Sequence, residues 1–385
     1  MDVLNEKILK DRIETTVLSD IESGRVGGVA VAVMQDGKTV YQDFFGDERI
    51  GIHVSECTLF RLASMTKPIT AAAIMLLIDR GALELDTPIS QFISEFSQMN
   101  VGQICQNKIE ITSPVKTSIT IRHLLSHSSG LGSGPLGDYL RANLPAAERK
   151  NLAQVVEYYA KNPLDFEPFT SQAYSGVHAF DVLARIVEIV SGMPYDMFLE
   201  KEIFSPLGMA DTTFSPTEEQ WTRMIPMHSY ENGIGRTEEF PENSIFEGIP
   251  TTCFCGGAGL ASTLHDYKQF ASMLLNYGSF EGRQLISEKM IQEMVTPQLP
   301  PAIMSGQEVW GLSVRVITEA SYVDLPCGAF GWSGAYGTHF WVDPVNKITA
   351  IYLKNSRYDG GSGAATARRF EQDVNAALSR LRRPL

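Results

Sequence analysis

The sequence predicts a two-lobed α/β protein, in which strands near both chain ends build one lobe and a helical middle is inserted as the second. Three observations carry this reading: alternating apolar runs around Asp36-Gly37, β-rich runs between Trp310 and Asn355, and helical periodicity over most of the stretch from about 90 to about 310. At 385 residues the chain exceeds the size at which one core stops growing. The boundaries fall at residues 1–88 with 310–385 for the α/β lobe and 89–309 for the helical one. Ligand sites favour such junctions, so the chemistry is expected in a cleft between the lobes.

The elements follow in order. MDVLNEKILKDRIETTVLSDIESG spaces its apolar residues at helical intervals. VGGVAVAVMQDGKTVYQDFFG alternates on both sides of Asp-Gly, a hairpin signal. In FRLASMTKPITAAAIMLLIDRG, residues 60–81, Pro68 has no N–H and belongs in a first turn, so a helix starts near Met65. AFDVLARIVEIVSG and LHDYKQFASMLLNYG are helices stopped at Gly192 and Gly278. WGLSVRVITEA, GTHFWVDP and KITAIYLKN read as strands, the last two joined through Pro344 to Asn346, and GAATARRFEQDVNAALSRL closes the chain as a helix.

A formal charge of −13, with no basic run to displace counterions, argues against nucleic acid as a partner. The charged N-terminal stretch is not a secretory signal, and AAAIMLLI is too short to cross a bilayer, so a cytoplasmic protein without membrane contact is expected. Oligomeric state is not fixed by sequence. Five cysteines, at 57, 105, 253, 255 and 327, are scattered, and CFC lacks the two-residue spacer of a redox or zinc motif. They are expected to be reduced and mostly buried.

Ser64 and Lys67 stand three apart at the mouth of the helix that starts near Met65, on one face and within reach of each other. The helix N-terminus favours a developing oxyanion, and with the apolar residues that follow it favours an uncharged amine able to act as a base. Alternatively, Ser64 is a helix cap and Lys67 a solvated first-turn residue. The spacing alone is weak, because Ser113-Pro-Val-Lys116 matches it too in a poor helical context. A third proton-handling group is needed. Tyr174, in a loop before a helix, could serve or could simply pack. Gly328, Gly331, Gly334 and Gly337, set among aromatics, favour close approach of a ligand to backbone over a plain bulge. His123 and His127 of HLLSH stand at helical spacing, but no Glu follows the first and no third ligand is evident, which disfavours a metal. No G-x-S-x-G elbow occurs. His53, His178, His228, His265 and His339 read as packed or surface groups, His339 being near enough to the glycine-rich segment to line the cleft.

Together, Ser64-Met65-Thr66-Lys67, Tyr174-Ser175-Gly176 and Trp332-Ser333-Gly334, with LFRLASMTKPITA, ITIRHLLSHSSGL, PLGMADTTF, CGGAGLASTLHDYKQF and GWSGAYGTHFWVDP, resemble the penicillin-recognising serine hydrolases: class C β-lactamases, DD-peptidases and family VIII carboxylesterases. The resemblance spans most of the chain. It implies the β-lactamase/transpeptidase-like fold, an antiparallel sheet flanked by helices with an all-helical insertion. It further implies Ser64 as nucleophile, Lys67 and Tyr174 sharing its activation, and an oxyanion hole from the backbone N–H groups of Ser64 and Ala335. Trp332, Ser333 and Gly334 would contact a small-molecule ester or amide, and no metal or cofactor is required. The reaction would be two-step acyl transfer through Ser64.

Two departures narrow the substrate. Where β-lactamases and DD-peptidases carry Asn two residues after the tyrosine, this chain has Gly176, and where their third box opens with Lys or another polar residue it has Trp332. An indole cannot neutralise a carboxylate, and burying one unpaired is costly. A neutral carboxylic ester is therefore expected, with residual β-lactam hydrolysis. The competing readings are a class C-type β-lactamase or DD-peptidase/D-amino-acid amidase, an acyltransferase, and a non-catalytic binding protein of the same fold.

Overall fold

The computed structural model describes residues 3–145, 150–237, 253–319 and 325–378. Its centre is a seven-stranded, wholly antiparallel sheet drawn from both ends of the chain. The strands are β1 (Gly28–Gln35), β2 (Lys38–Gly46), β3 (Glu308–Trp310), β4 (Arg315–Ile317), β5 (Phe330–Ser333), β6 (His339–Asp343) and β7 (Ile348–Lys354), in the spatial order β3-β4-β5-β6-β7-β1-β2. The Asp-Gly turn joins β1 to β2 with both residues at positive φ, 52° and 74°, as a two-residue hairpin requires.

Period-two alternation sends the two faces of this sheet to different cores. Val29, Val31, Val33, Ile348, Ala350 and Tyr352 pack with the N-terminal helix α1 (Val3–Glu22) and the C-terminal helix, Ala365–Leu378. Ala30, Ala32, Ile351, Leu353, Trp332 and Phe340 face the larger core shared with α2 (Thr66–Asp79), α3 (His178–Ser191) and α4 (Leu264–Leu275). The C-terminal helix is α5; Ser379, Arg380 and Leu381, expected at its end, lie outside the described residues. Helix α2 is buried over nearly all its length, consistent with its Ala-, Ile- and Leu-rich composition. Gly192 ends α3 in the left-handed conformation at φ 69°.

Two expectations need correction, one on a strand run and one on the cysteines. The stretch from 90 to 310, expected to be mainly helical with long connections, also carries two-stranded hairpins, Asn100–Cys105 with Lys108–Pro114 and His228–Glu231 with Ile234–Thr237, joined by a shorter pair at 279–284. Most side chains of Lys108–Pro114 are exposed, so its alternation carries little hydrophobic signal. The run WGLSVRVITEA is two short strands rather than one, because it turns at Ser313, whose φ is 74° and whose N–H donates to Leu125 O at 2.8 Å. The cysteines are free but not mostly buried: Cys57 and Cys327 are exposed and the others half-buried. No described helix is long and apolar enough to cross a membrane.

Candidate active site

Ser64 lies in a 3-10 turn, Ala63–Met65, that runs directly into α2. Ala63 is held at φ 47°, a left-handed conformation that a non-glycine residue adopts only at a cost and that aims the next residue out of the helix path. The position flanking α2 is Met65, which makes no side-chain cap, so Ser64 is not the helix cap. Its hydroxyl instead meets Lys67 Nζ at 3.2 Å.

Lys67 is fully buried. Besides Ser64, its amine donates to Gly176 O at 2.6 Å and Gly257 O at 2.8 Å. It also lies 4.9 Å from the Tyr174 ring centroid and 5.3 Å from that of Phe180. This set can serve either protonation state. An ammonium fills all three acceptors, whereas a neutral amine gives its two hydrogens to the carbonyls and turns its lone pair to the Ser64 O–H. The shorter contacts are those to the carbonyls, which leaves the hydroxyl as the partner free to move.

Tyr174 sits in the loop ahead of α3 and is 36% exposed, so its phenol borders solvent while its ring covers Lys67. The ring stacks on Trp310 (6.0 Å, 12°) and contacts His127 (4.7 Å) and Trp332 (5.4 Å). Trp332 donates its indole N–H to the Tyr174 hydroxyl oxygen at 3.4 Å. The side chains of Ser64, Lys67, Tyr174 and Trp332 thus lie in one contiguous cluster of contacts.

The turn after β5 completes the arrangement. Gly334 N–H donates to Thr338 O at 2.7 Å, Gly337 N–H to Gly334 O at 2.9 Å, and Thr338 Oγ1 to Leu62 O at 2.8 Å. A Cβ on Gly334 would collide with Leu62 O and Thr338 Oγ1, so glycine is what lets this turn seat against the residues preceding Ser64. The amides that fix the two turns are those of Leu62, Met65, Gly334 and Gly337; those of Ser64 and Ala335 take no part in these bonds. Ala335 is exposed, one residue beyond the docked glycine.

Ser333 does not join the pocket through its side chain. Trp332 faces the larger core, so strand alternation turns Ser333 to the α5 side, where its hydroxyl bonds His339 Nδ1 at 2.8 Å. His339 is on that face too, 3.1 Å from Glu371 of α5, and does not line the cleft. Ser113 and Lys116 are exposed on the hairpin strand Lys108–Pro114 and just past it, ahead of the cap Thr120 rather than within a helix. His123 and His127 accept at Nδ1 from separate peptide groups, the N–H of Thr120 and of Ser175 respectively.

The sequence from residue 9 to residue 373 matches the family described as Beta-lactamase. The chain belongs to the β-lactamase family. It is a serine hydrolase of that family with the β-lactamase/transpeptidase-like fold. Among its relatives, Protein Rv1367c of Mycobacterium tuberculosis is 30% identical, the alignment covering 93% of this chain and 92% of that protein. Esterase EstB of Burkholderia gladioli is 27% identical, with 94% of each chain covered. The solved structure of EstCE1, described as a hydrolase with promiscuous acyltransferase activity, superposes with a TM-score of 0.79 at 23% identity, covering 97% of this chain and 99% of that one.

Within this β-lactamase-family site the Gly176 departure has a structural counterpart. The residue lacks an amide side chain, and its backbone carbonyl is what meets Lys67. Three neighbours escape sequence reasoning: Gly257, Trp310 and His127. Gly257 lies within CGGAGL and Trp310 opens WGLSVRV, segments legible as family-like or β-rich but carrying no sign of which atom faces Lys67 or Tyr174.

Proposed function

We propose that the protein hydrolyses neutral carboxylic esters through an acyl-enzyme on Ser64. The observation that carries this reading is Lys67 Nζ, buried and 3.2 Å from Ser64 Oγ, beneath the ring of Tyr174. Lys67 takes the hydroxyl proton as Ser64 Oγ attacks the carbonyl carbon, and the carbonyl oxygen becomes an oxyanion facing the amides of Ser64 and Ala335 at the positive end of α2. Tyr174, whose oxygen already accepts from Trp332, gives its O–H proton to the leaving alkoxide and takes the proton held by Lys67 in its place, so that Lys67 is neutral again before the second step. Water then attacks the acyl carbon, its proton passes to the same base, and the acid leaves as Ser64 regains its hydrogen.

The ester preference rests on the pocket wall. Trp332, Trp310 and Tyr174 form a continuous aromatic surface with centroids 4.5 to 6.0 Å apart, and the indole at the head of the third box offers no charge to a carboxylate. The likeness to an esterase at 27% identity points the same way. We propose slow β-lactam opening as a side activity of the same acylation. The same intermediate supports a second reading, acyl transfer to an alcohol or amine in place of water, which agrees with the description of EstCE1.

The test is a parallel assay of p-nitrophenyl acetate to octanoate, nitrocefin and a D-alanyl amide, with mass spectrometry of the enzyme. An acyl mass on the Ser64 peptide and esters turned over fastest are expected. Faster turnover of nitrocefin or the amide than of every ester would reject the ester preference, and the absence of both turnover and adduct would reject the enzyme in favour of a binding protein.

A further inference from the structure

The segment Leu125–Leu131, which contains the second histidine of HLLSH, is a hub whose bonds reach both walls of the pocket. Leu125 O accepts from Ser313 N–H, which closes the turn after the Trp310 strand. Ser128 O accepts from Phe169 N–H at 2.8 Å, and Leu131 O from Ser175 Oγ at 2.8 Å. Between these, His127 makes the contacts that bear on Tyr174. Its backbone carbonyl accepts from Ala173 N–H at 3.2 Å, and its Nδ1 accepts from Ser175 N–H at 3.1 Å. The two amides so held are those on either side of Tyr174. The ring is fully buried, packed against Tyr174 (4.7 Å), Trp310 (4.3 Å) and Phe180 (5.4 Å).

We propose that His127 is the positioning residue of Tyr174, gripping the peptide groups before and after it so that the phenol is presented over Lys67. The proposal rests on the assignment of Tyr174 as a proton-handling group. Three features point beyond simple packing. First, His127 is held at φ 56°, a conformation that costs energy for histidine and that allows its carbonyl and its ring to serve the same loop. Second, Nδ1 is an acceptor, so the neutral ring carries its proton on Nε2, and that buried nitrogen has no hydrogen-bond partner among the described residues. An unpartnered buried donor is costly, and the site retains it. Third, burial and the nearby Lys67 hold the imidazole pKa well below its usual value, which keeps Nδ1 an acceptor at neutral pH. Lys67 is the ionisable amine nearest the ring and Tyr174 its titratable neighbour; Trp310 and Phe180 cover it with apolar surface. Protonation would aim a second N–H at Ser175 N–H and release the loop.

The conservative variant is H127N, since Asn Oδ1 can occupy the Nδ1 position as an acceptor and Asn tolerates positive φ. The disruptive variant is H127L. Steady-state kinetics on p-nitrophenyl butyrate, thermal melting and amide hydrogen exchange at Ser175 are measured for both. H127N is expected within about tenfold of wild-type kcat with Ser175 protected, whereas H127L loses on the order of 10²-fold in kcat, with KM within about threefold, and exposes Ser175 to exchange. Wild-type kcat in folded H127L overturns the proposal. So does a loss in folded H127N as deep as that of Tyr174→Phe, which keeps the test decisive should H127L not fold. The exchange measurement reads the grip even if no ester is turned over, so its failure is distinct from failure of the esterase assignment.

Discussion

Lys67 is a cation-forming side chain buried from solvent, and what makes it tolerable is that its Nζ has three acceptors within reach. Only one of those acceptors, Ser64, is local; the others lie 109 and 190 positions along the chain. Lys116, of the second Ser-x-x-Lys match, is exposed, and the protein contact it makes is through its backbone N–H to Glu167. Lys67→Ala and Tyr174→Phe are therefore expected to lower kcat on p-nitrophenyl esters by about 10² to 10⁴-fold with the far-ultraviolet circular dichroism unchanged. Lys116→Ala should leave kcat untouched. Equal losses at Lys67 and Lys116 would show that the pocket is not where turnover occurs.

At the scale of elements, the decisive object is the turn between β5 and β6. It is backed by the loop after β7, where Gly361 N–H donates to Gly334 O at 2.9 Å and Ser356 N–H to Tyr336 O at 3.0 Å. Behind both, Lys354 is buried along Gly337 and donates to Tyr358 O at 2.9 Å and Asp359 O at 3.2 Å, burial pushing its pKa down to about 8. The amide of Ala335 is thereby fixed by contacts made on either side of it. Gly334→Ala inserts a methyl group against Leu62 O and Thr338 Oγ1 and must lift the turn. The expected result is a loss of about 10² to 10³ in kcat, the cost of one misplaced oxyanion donor, with KM little changed. Kinetics and thermal melting of the variant check this; undiminished kcat would separate the turn from the oxyanion.

At the scale of the whole molecule, the C-terminal helix is tied to the sheet through one buried ionic network on the sheet's α5 face. Glu371 of α5 pairs with Arg315 of β4 and lies 3.3 Å from Arg368, which itself bonds Glu308 of β3 at 2.5 Å, and His339 of β6 stands beside it. Burial alone would raise the Glu371 pKa, but Arg315 first and His339 next outweigh it and hold it at about 2. Because the folded-state pKa lies below the unfolded one, the contribution is present above about pH 4.5 and is lost as pH falls toward 2. The shift corresponds to roughly 3 kcal/mol. Glu371→Gln should accordingly be less stable than wild type at pH 7 by an amount of that order in urea unfolding, and the gap should close below pH 3. A gap independent of pH would mean that the carboxylate charge is not what the network uses.

The alternation in β1, the Asp-Gly turn, the stop at Gly192 and the placement of Ser64 one helical turn from Lys67 all follow from neighbours within a few residues, so local sequence determined them. The three spaced boxes identified the family for the same reason: each is a short segment whose residue types are dictated by its own chemistry. The direction of Ser333, the split of the Trp310 run at Ser313, the hairpin at 100–114 and the carbonyls that receive Lys67 were decided only by the tertiary structure. Ser333 and Trp332 are adjacent and both buried, and nothing local distinguishes which side of the sheet holds the pocket. His127 is the clearest case. Its sequence context marked it only as one of two histidines at helical spacing, poorly placed for a metal, but a left-handed φ at the end of the short helix Ile121–Leu125 turns it toward Tyr174, 47 residues later, and the partner of a buried side chain is fixed by what packs across from it.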